Sequence, residues 1–439
     1  MIDILPNILF SIILIFSVGF FIINIKKIVT VIKLGKPVYR SDNLKKRFYN
    51  MARVALGQSK MVTKPISGFL HVIVYIGFII INIELLEILI DGVTGSHRFF
   101  SKYFNTSFYN FLIATFEIFA LLVLISVVLF WTRRNIVKIK RFLSSEMEGW
   151  PKFDADNILY FEIVLMLLFL SMNATDLILQ ERNYMGYSKA GAFPVSSFIV
   201  PLFDSFQTST VYTLERIFWW LHILGIFFFL NYLYYSKHLH ILLAFPNTFY
   251  ANLGDKGKFE VLKSVKNEVL QMFYPEKASE SNGNIDKFGA SDVLDLNWVQ
   301  LMNAYSCTEC GRCSSECPAH LTGKKLSPRK IMMDTRDRLE KVSKNISLNN
   351  GKFIDDGDSL LDNYISKEEL WACTSCNACV EACPIEIDPL SIIMDMRQYL
   401  IMEESSAHPD LNNMMNNIEN NGAPWPYNQQ DRELWIQES

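Results

Sequence analysis

The residues most capable of chemistry are the eight cysteines, and all of them fall between Cys307 and Cys383. They form two copies of one pattern. The first is Cys307-Thr-Glu-Cys310-Gly-Arg-Cys313-Ser-Ser-Glu-Cys317-Pro318, and the second is Cys373-Thr-Ser-Cys376-Asn-Ala-Cys379-Val-Glu-Ala-Cys383-Pro384. Each is a C-x2-C-x2-C-x3-C-P run, the spacing that ligates a [4Fe–4S] cube. Three thiolates on one tight turn wrap one face of a cube, and the fourth, turned away by its proline, reaches the other cluster. That logic assigns Cys307, Cys310, Cys313 and Cys383 to one cluster and Cys373, Cys376, Cys379 and Cys317 to the other. Zinc sites use pairs of C-x2-C without a third evenly spaced cysteine. Disulfides do not explain the repeated spacing.

The second set of candidates is histidine. His71, His222, His238 and His240 lie in or beside long apolar stretches, where ionisable groups are costly and usually functional. Haem b held between helices needs two imidazoles at matching depth. On a continuous helix His222 and His240 are about five turns apart and share a face, while His238 points nearly opposite. His71 and His240 both sit near the same end of their helices and form the expected axial pair. His222 has no histidine at matching depth on the second apolar helix. Three readings stay open: with Asn82, and with Glu84 or Asp176, it hydrogen-bonds a quinone; it ligates a second haem; or it bridges two helices as a packing contact. Glu117 and Glu162 are further acids in apolar surroundings, with proton conduction as their candidate role.

These groups need a membrane half and a soluble half to hold them. Hydrophobic residues make up 50 % of the 439-residue chain against 20 % charged, too apolar for an ordinary soluble protein. The net charge of -3 gives no reason to expect a nucleic-acid partner. Apolar runs crowd residues 1–245. Five are long enough to cross a bilayer, at about 7–25, 66–90, 108–131, 158–180 and 214–243. The first has Asp3 in place of a basic leader and Lys26 and Lys27 behind it, so it reads as an anchor. The loop after it is rich in Lys and Arg, as is the loop after the third (Arg133, Arg134, Lys138, Lys140, Arg141). By the positive-inside rule these face the cytoplasm, the N-terminus lies outside, and the cysteine domain emerges on the cytoplasmic side of the inner membrane. Thiols kept for iron–sulfur clusters also require a reducing compartment.

Residues 246–295 read as a linker, with a helical stretch at Lys258–Phe273 and a flexible one at Ser279–Gly289. The cysteine domain, 296–405, has helical patterns at Pro328–Val342 and Pro389–Glu403, so the expected form is a helical ferredoxin rather than a compact β one. Asn412–Asn421 reads as a loop within a tail, 406–439, suited to partner docking. No Gly-rich phosphate loop for flavin or nicotinamide and no hydrolytic triad is readable. His320, just after Cys317-Pro318, reads as an exposed turn residue, with tuning of a cluster by hydrogen bonding as the alternative. The expected fold is mainly α: a five-helix transmembrane cytochrome b bundle followed by a two-cluster helical ferredoxin.

On five spans, His71, Trp219-Trp220-Leu-His222 and Ser236-Lys237-His238-Leu-His240, the membrane half resembles the cytochrome b subunits of respiratory nitrate reductase and membrane-bound heterodisulfide reductase. On Thr322-Gly-Lys324, Leu326-Ser-Pro-Arg329, Glu369-Leu-Trp-Ala-Cys373 and Asp395-Met-Arg397, the soluble half resembles the iron–sulfur subunit of heterodisulfide reductase. In the nitrate reductase pattern the second helix carries two histidines, and this chain has His71 alone. The resemblance implies a quinone-linked electron-transfer subunit that relays electrons between the menaquinone pool and a cytoplasmic partner. Relatives continue past a segment like Ala423-Pro-Trp425 and Arg432-x-x-Trp435 into a cysteine-rich CCG domain. The expectation here is that a separate CCG-type iron–sulfur protein, or an electron-transfer flavoprotein, supplies that partner. The rival outside redox catalysis is a membrane-anchored iron–sulfur sensor or assembly scaffold, which needs no haem.

Overall fold

The computed structural model of the chain describes residues 4–255, 257–259, 263–277 and 287–437. Five long helices dominate: α1 (Leu5–Ile32), α2 (Pro65–Thr94), α3 (Thr106–Asn135), α4 (Trp150–Glu181) and α5 (Thr208–Tyr232). Each is long and apolar enough to cross a membrane, as the five runs predict; each extends beyond its apolar run at one or both ends, and α5 alone also stops short of its expected end. Successive helices pack side by side and α1 closes against α5, so the five make a ring. The inside is aromatic: Phe10, Tyr109, Phe116, Phe169 and Trp219 are buried together, holding the helices by van der Waals packing rather than by escape from water. The outside is apolar too. Phe16 is 73 % exposed and Ile15 72 %, which only lipid makes tolerable. This is a membrane-anchored chain.

The fifth helix departs from expectation. It ends at Tyr232, a 3-10 turn follows at Leu233–Tyr235, and Ser236 is extended (φ -107, ψ 146). The Ser236 hydroxyl caps His238 N at 3.1 Å, and a second 3-10 turn leads into α6 (His240–Phe249). His222 and His240 are therefore not on one helix, and the shared-face argument for them fails. The expected boundary at 245 falls inside α6. Of the expected helix at Lys258–Phe273, Lys263–Phe273 is helical and residues 260–262 lie outside the described residues. The flexible stretch expected at Ser279–Gly289 falls mainly on 279–286, also outside them. The described remainder is pinned, with Lys287 Nζ donating to Asp295 at 2.6 Å.

The cysteine domain is helical, and no strand forms among the described residues. Its main helices are α7 (Trp298–Ser306), α8 (Pro328–Leu348) and α9 (Pro389–Met402). Ile331, Leu339 and Val342 of α8 interlock with Ile392, Ile393 and Met396 of α9, while Val31 of α1 joins the same core. Pro328 and Pro389 start their helices at the position where the missing N–H costs nothing. The asparagine-rich stretch is not a loop: it is the core of α10 (Pro409–Asn421). Leu411, Met414, Met415 and Ile418 recur at helical spacing, with Pro409 at its start and Gly422 (φ 65) ending it. Ile418 and Met414 remain exposed.

The domain sits on one end of the bundle, where the basic loops gather. Lys36 exchanges backbone hydrogen bonds with Leu296 and Trp298 at 2.8 and 3.2 Å. At Gly35 a Cβ would lie 2.5 Å from Trp298 N, so this approach requires glycine. Buried Arg47 donates to the carbonyls of Phe249 and Ala251, latching the first basic loop onto the end of α6.

Candidate functional site

The two cysteine runs are the same backbone motif twice. Glu309 and Ser375, two residues after the first cysteine of each run, both have φ 55, and Gly311 and Asn377 follow at φ 71 and 62. Left-handed residues at matched positions curl each loop so that its three thiols face inward. For the non-glycine residues this costs on the order of 1 kcal/mol each, a strain typical of functional sites. A helical turn follows in each, Arg312–Glu316 and Ala378–Ala382. Its last cysteine, Cys317 or Cys383, is extended and leads into proline.

The two turns pack against each other, and this crosses the fourth cysteines over. Cys383 lies within electrostatic reach of Cys310 and Cys313. Cys317 lies within reach of Cys373 and Cys379. A gap is lined by Cys307, Cys310, Cys313, Cys379 and Cys383 under an apolar lid of Met332, Ile385 and Ile387. All eight are free thiols. Burial pushes the Cys307 thiol up to about 12 and Cys383 up to about 11, so both hold their protons at neutral pH unless a bound metal displaces them. Among the described residues no three Cys, His, Asp or Glu side chains converge closely enough to share one ion. Thiols spaced around a gap fit a cube with one iron per cysteine better than zinc. Cys376 is the one exposed cysteine of the eight, whereas Cys307, Cys317, Cys379 and Cys383 are buried.

The first run is clamped to the membrane half from three sides. Arg312, between Cys310 and Cys313, donates to the carbonyls of Lys60 and Met61, each at 2.9 Å. Arg329, at the start of α8, is 1 % exposed and reaches Arg141 O at 2.6 Å and Glu146 at 2.7 Å. Glu309 takes Arg336 at 2.8 Å and also pairs with Lys237. Lys237 is the hub: its N–H donates to Asp154 of α4 at 3.0 Å, its Nζ to Pro151 O at 2.6 Å, and its carbonyl accepts from His240 Nδ1 at 3.1 Å.

That last bond leaves His240 Nε2 with its lone pair free, the tautomer a metal takes. His238 is not on the opposite side, as a continuous helix would have it. Its ring centre is 5.3 Å from that of His240 at 85°, and His71 lies within electrostatic reach of both. His71 Nδ1 is buried without a partner in the chain, the kind of donor a bound group satisfies. The broken helix thus brings His71, His238 and His240 together below the first cysteine run. Glu162 belongs here too, its Oε1 3.7 Å from His238 Nε2.

His222 stands apart, buried against Phe169, with Nδ1 3.0 Å from Leu165 O. Its expected partners are engaged elsewhere. Asn82 donates to Phe78 O on its own helix at 2.5 Å. Asp176 and Glu84 surround Arg98, at 2.8 and 3.4 Å, with Asn173 bridging Arg98 and Glu117. This ion cluster closes the bundle end away from the cysteines. Arg98 reads as an ordinary loop charge in the sequence, because its partners come from separate helices. His320 is half-buried, rather than exposed, in the turn after Cys317.

Residues 306–387 match the family model described as a 4Fe-4S dicluster domain. This stretch is a 4Fe-4S dicluster domain. Beyond the dicluster domain, the chain is 28 % identical across 98 % of its length to the probable iron-sulfur-binding oxidoreductase FadF of Bacillus subtilis, covering 61 % of that protein. It is 24 % identical, again over 98 %, to the EtfAB:quinone oxidoreductase of Syntrophomonas wolfei, covering 59 % of it. Around the dicluster domain it is 28 % identical over 33 % of its length to a component of the dihydromethanophenazine:CoB–CoM heterodisulfide reductase of Methanosarcina mazei, covering 36 % of that polypeptide. The chain spans about three fifths of the length of the first two relatives. No solved structure matches it. The similarity to heterodisulfide reductase components agrees with the resemblance drawn from the motifs, and the chain joins five membrane-length apolar helices to a 4Fe-4S dicluster domain.

Proposed function

We propose that this chain is the subunit that carries electrons between a soluble redox partner and the membrane quinone pool. Cys307, Cys310, Cys313 and Cys383 hold the inner [4Fe–4S] cluster, and Cys373, Cys376, Cys379 and Cys317 the outer one. His71 and His240 would hold one haem b, with His238 beside them. When bound, these groups supply successive one-electron sites. The chain's own work is placement: the run with the exposed Cys376 meets the partner, and Arg312, Arg329 and Glu309 press the inner run onto the bundle. Lys237 holds the imidazole of His240 while it grips the same run. The observation that carries the reading is this single residue joining the cysteine loop to the histidine segment.

The basic loops on the same end support a cytoplasmic side for the dicluster domain. The relative named EtfAB:quinone oxidoreductase supports a quinone, menaquinone by resemblance, as the membrane partner and a flavoprotein as the soluble one; a CCG-type iron–sulfur protein is the alternative partner. Electrons then run towards quinone. Separation of Asn82, Glu84 and Asp176 from His222 leaves the last as a helix-bridging contact rather than a ligand. Iron analysis and reduced-minus-oxidised spectra of the purified chain test the proposal. About nine irons per chain, about eight in the clusters and one in the haem, and a haem b band lost in His71→Ala and His240→Ala but kept in His222→Ala are expected. Zinc at the thiols, or no porphyrin absorption, refutes it.

A further inference from the structure

A groove of about 910 Å³ runs between the first apolar helix, the turns around Lys237, and α8 of the dicluster domain. Neither the cluster ligands nor the histidine site accounts for it. We propose that it is where the quinone headgroup binds; this rests on the quinone-linked reading and gives that reading a place.

Three features of its walls carry the assignment. One wall, from α1, mixes apolar Ile23, Ile28 and Val31 with Lys26, Lys27 and Thr30, and Ile23 is 56 % exposed on the face that lipid covers. A second is aromatic, from Trp150, Tyr234 and Tyr235, types that settle at the headgroup level of a bilayer. The third is Tyr305, Glu309 and Arg336. An amphipathic molecule entering sideways from the membrane meets lipid-like, ring-stacking and hydrogen-bonding surfaces in turn. The size lies within the range of small-molecule sites, roughly 300–1,000 Å³.

The deep cations are spoken for, since Lys237 and Arg336 both pair with Glu309. The inner wall is thus near neutral and suits an uncharged ring with two carbonyl oxygens, while Lys26, Lys27 and Lys344 line the groove as well and make competition by an anionic phospholipid the necessary control. Its position suits electron exchange: Tyr305 and Glu309 flank Cys307, and Leu239, also in the wall, precedes His240. Asp337 and Glu340 line the aqueous end and lead protons in from the side of the soluble partner. The balance is a quinone taking two electrons, ultimately from a reduced flavin or dithiol on that partner, and two protons from water, to give the quinol.

The test uses the full chain in nanodiscs with a short-tailed azidonaphthoquinone, illumination and peptide mapping. Label is expected on the segments containing Ile23–Val31 and Tyr234–Leu239, displaced by excess naphthoquinone but not by phosphatidylglycerol. Label around Trp219–Phe227, beside His222, overturns the location while leaving quinone linkage intact, and displacement by phosphatidylglycerol makes the groove a phospholipid site. Ser343→Trp, which adds bulk to the groove, should raise the quinone concentration for half-maximal reoxidation of the reduced protein about tenfold at unchanged iron content. An unchanged value overturns the groove. If no quinone reoxidises the reduced wild-type protein, the broader reading fails with it.

Discussion

Replacing Glu309 by Gln tests how the two halves are coupled. The carboxylate is 3 % exposed and is shared by Lys237 and Arg336. Removing one partner of a buried ion pair costs about 3–5 kcal/mol, mostly through the charge left unpaired. Here the loss is partial. Lys237 keeps Pro151 O at 2.6 Å and Asp154 at 3.9 Å, and Arg336 keeps Asp337 at 3.4 Å. About 2–3 kcal/mol is the reasonable figure, or roughly 30- to 150-fold in an equilibrium constant. Glu309 reaches across the junction through Lys237, so the weakening should appear as local opening there. Hydrogen exchange reads it directly, because with fast reclosing the rate scales with the opening equilibrium. Amides of residues 236–240 should exchange roughly 30- to 150-fold faster in Glu309→Gln, while α3 and α9 keep wild-type protection and iron content is unchanged. A double-mutant cycle with Lys237→Met should return about 2 kcal/mol of coupling. Unaltered protection at 236–240, or a coupling near zero, refutes the claim that this pair joins the cysteine loop to the histidine segment.

Other substitutions probe separate contacts. Cys376→Ser, at the exposed cysteine, should remove about four irons per chain and leave the inner cluster's electron paramagnetic resonance signal intact; loss of both signals contradicts the proposed ligand sets. Gly35→Ala forces a Cβ to within 2.5 Å of Trp298 N and should destabilise the chain by about 1–3 kcal/mol, seen as a lowered Tm, where an unchanged Tm denies the close approach. The Arg338 hydrogen bond holds the Asp356 carboxyl below its usual range. That stabilisation is present above the unfolded value of about 3.9 and is lost as pH falls through the lower folded one. Asp356→Asn should therefore make stability less steep in acid, below about pH 4, and an acid limb as steep as wild type removes the assignment.

What the sequence discloses depends on how far away the deciding contacts lie. The cysteine runs are legible because their spacing is itself the site, and the five spans because a helix facing lipid is apolar all round. The end of the fifth helix is not. Residues 227–243 carry neither Gly nor Pro. The helix stops because Asp154, from another helix, takes the Lys237 N–H while Ser236 turns its hydroxyl onto His238 N, and no local pattern announces a partner 83 residues away. Arg98 is hidden for the same reason. The asparagine-rich helix is the opposite case, since Leu411, Met414, Met415 and Ile418 keep helical period in plain view and composition alone obscures it.

The break after Tyr232 is what makes the site. A helix continued through Ser236 would send His238 and His240 to opposite faces. The interruption turns both rings into one space with His71 and exposes the Lys237 carbonyl to His240, while the Lys237 side chain is left free to reach Glu309. A chain whose cysteine loops and histidines were merely tethered would need no such turn. Its presence where Lys237 ties the histidine segment to the cysteine loop, among the several contacts between the halves, holds the two at a set separation, which is what the proposed relay requires.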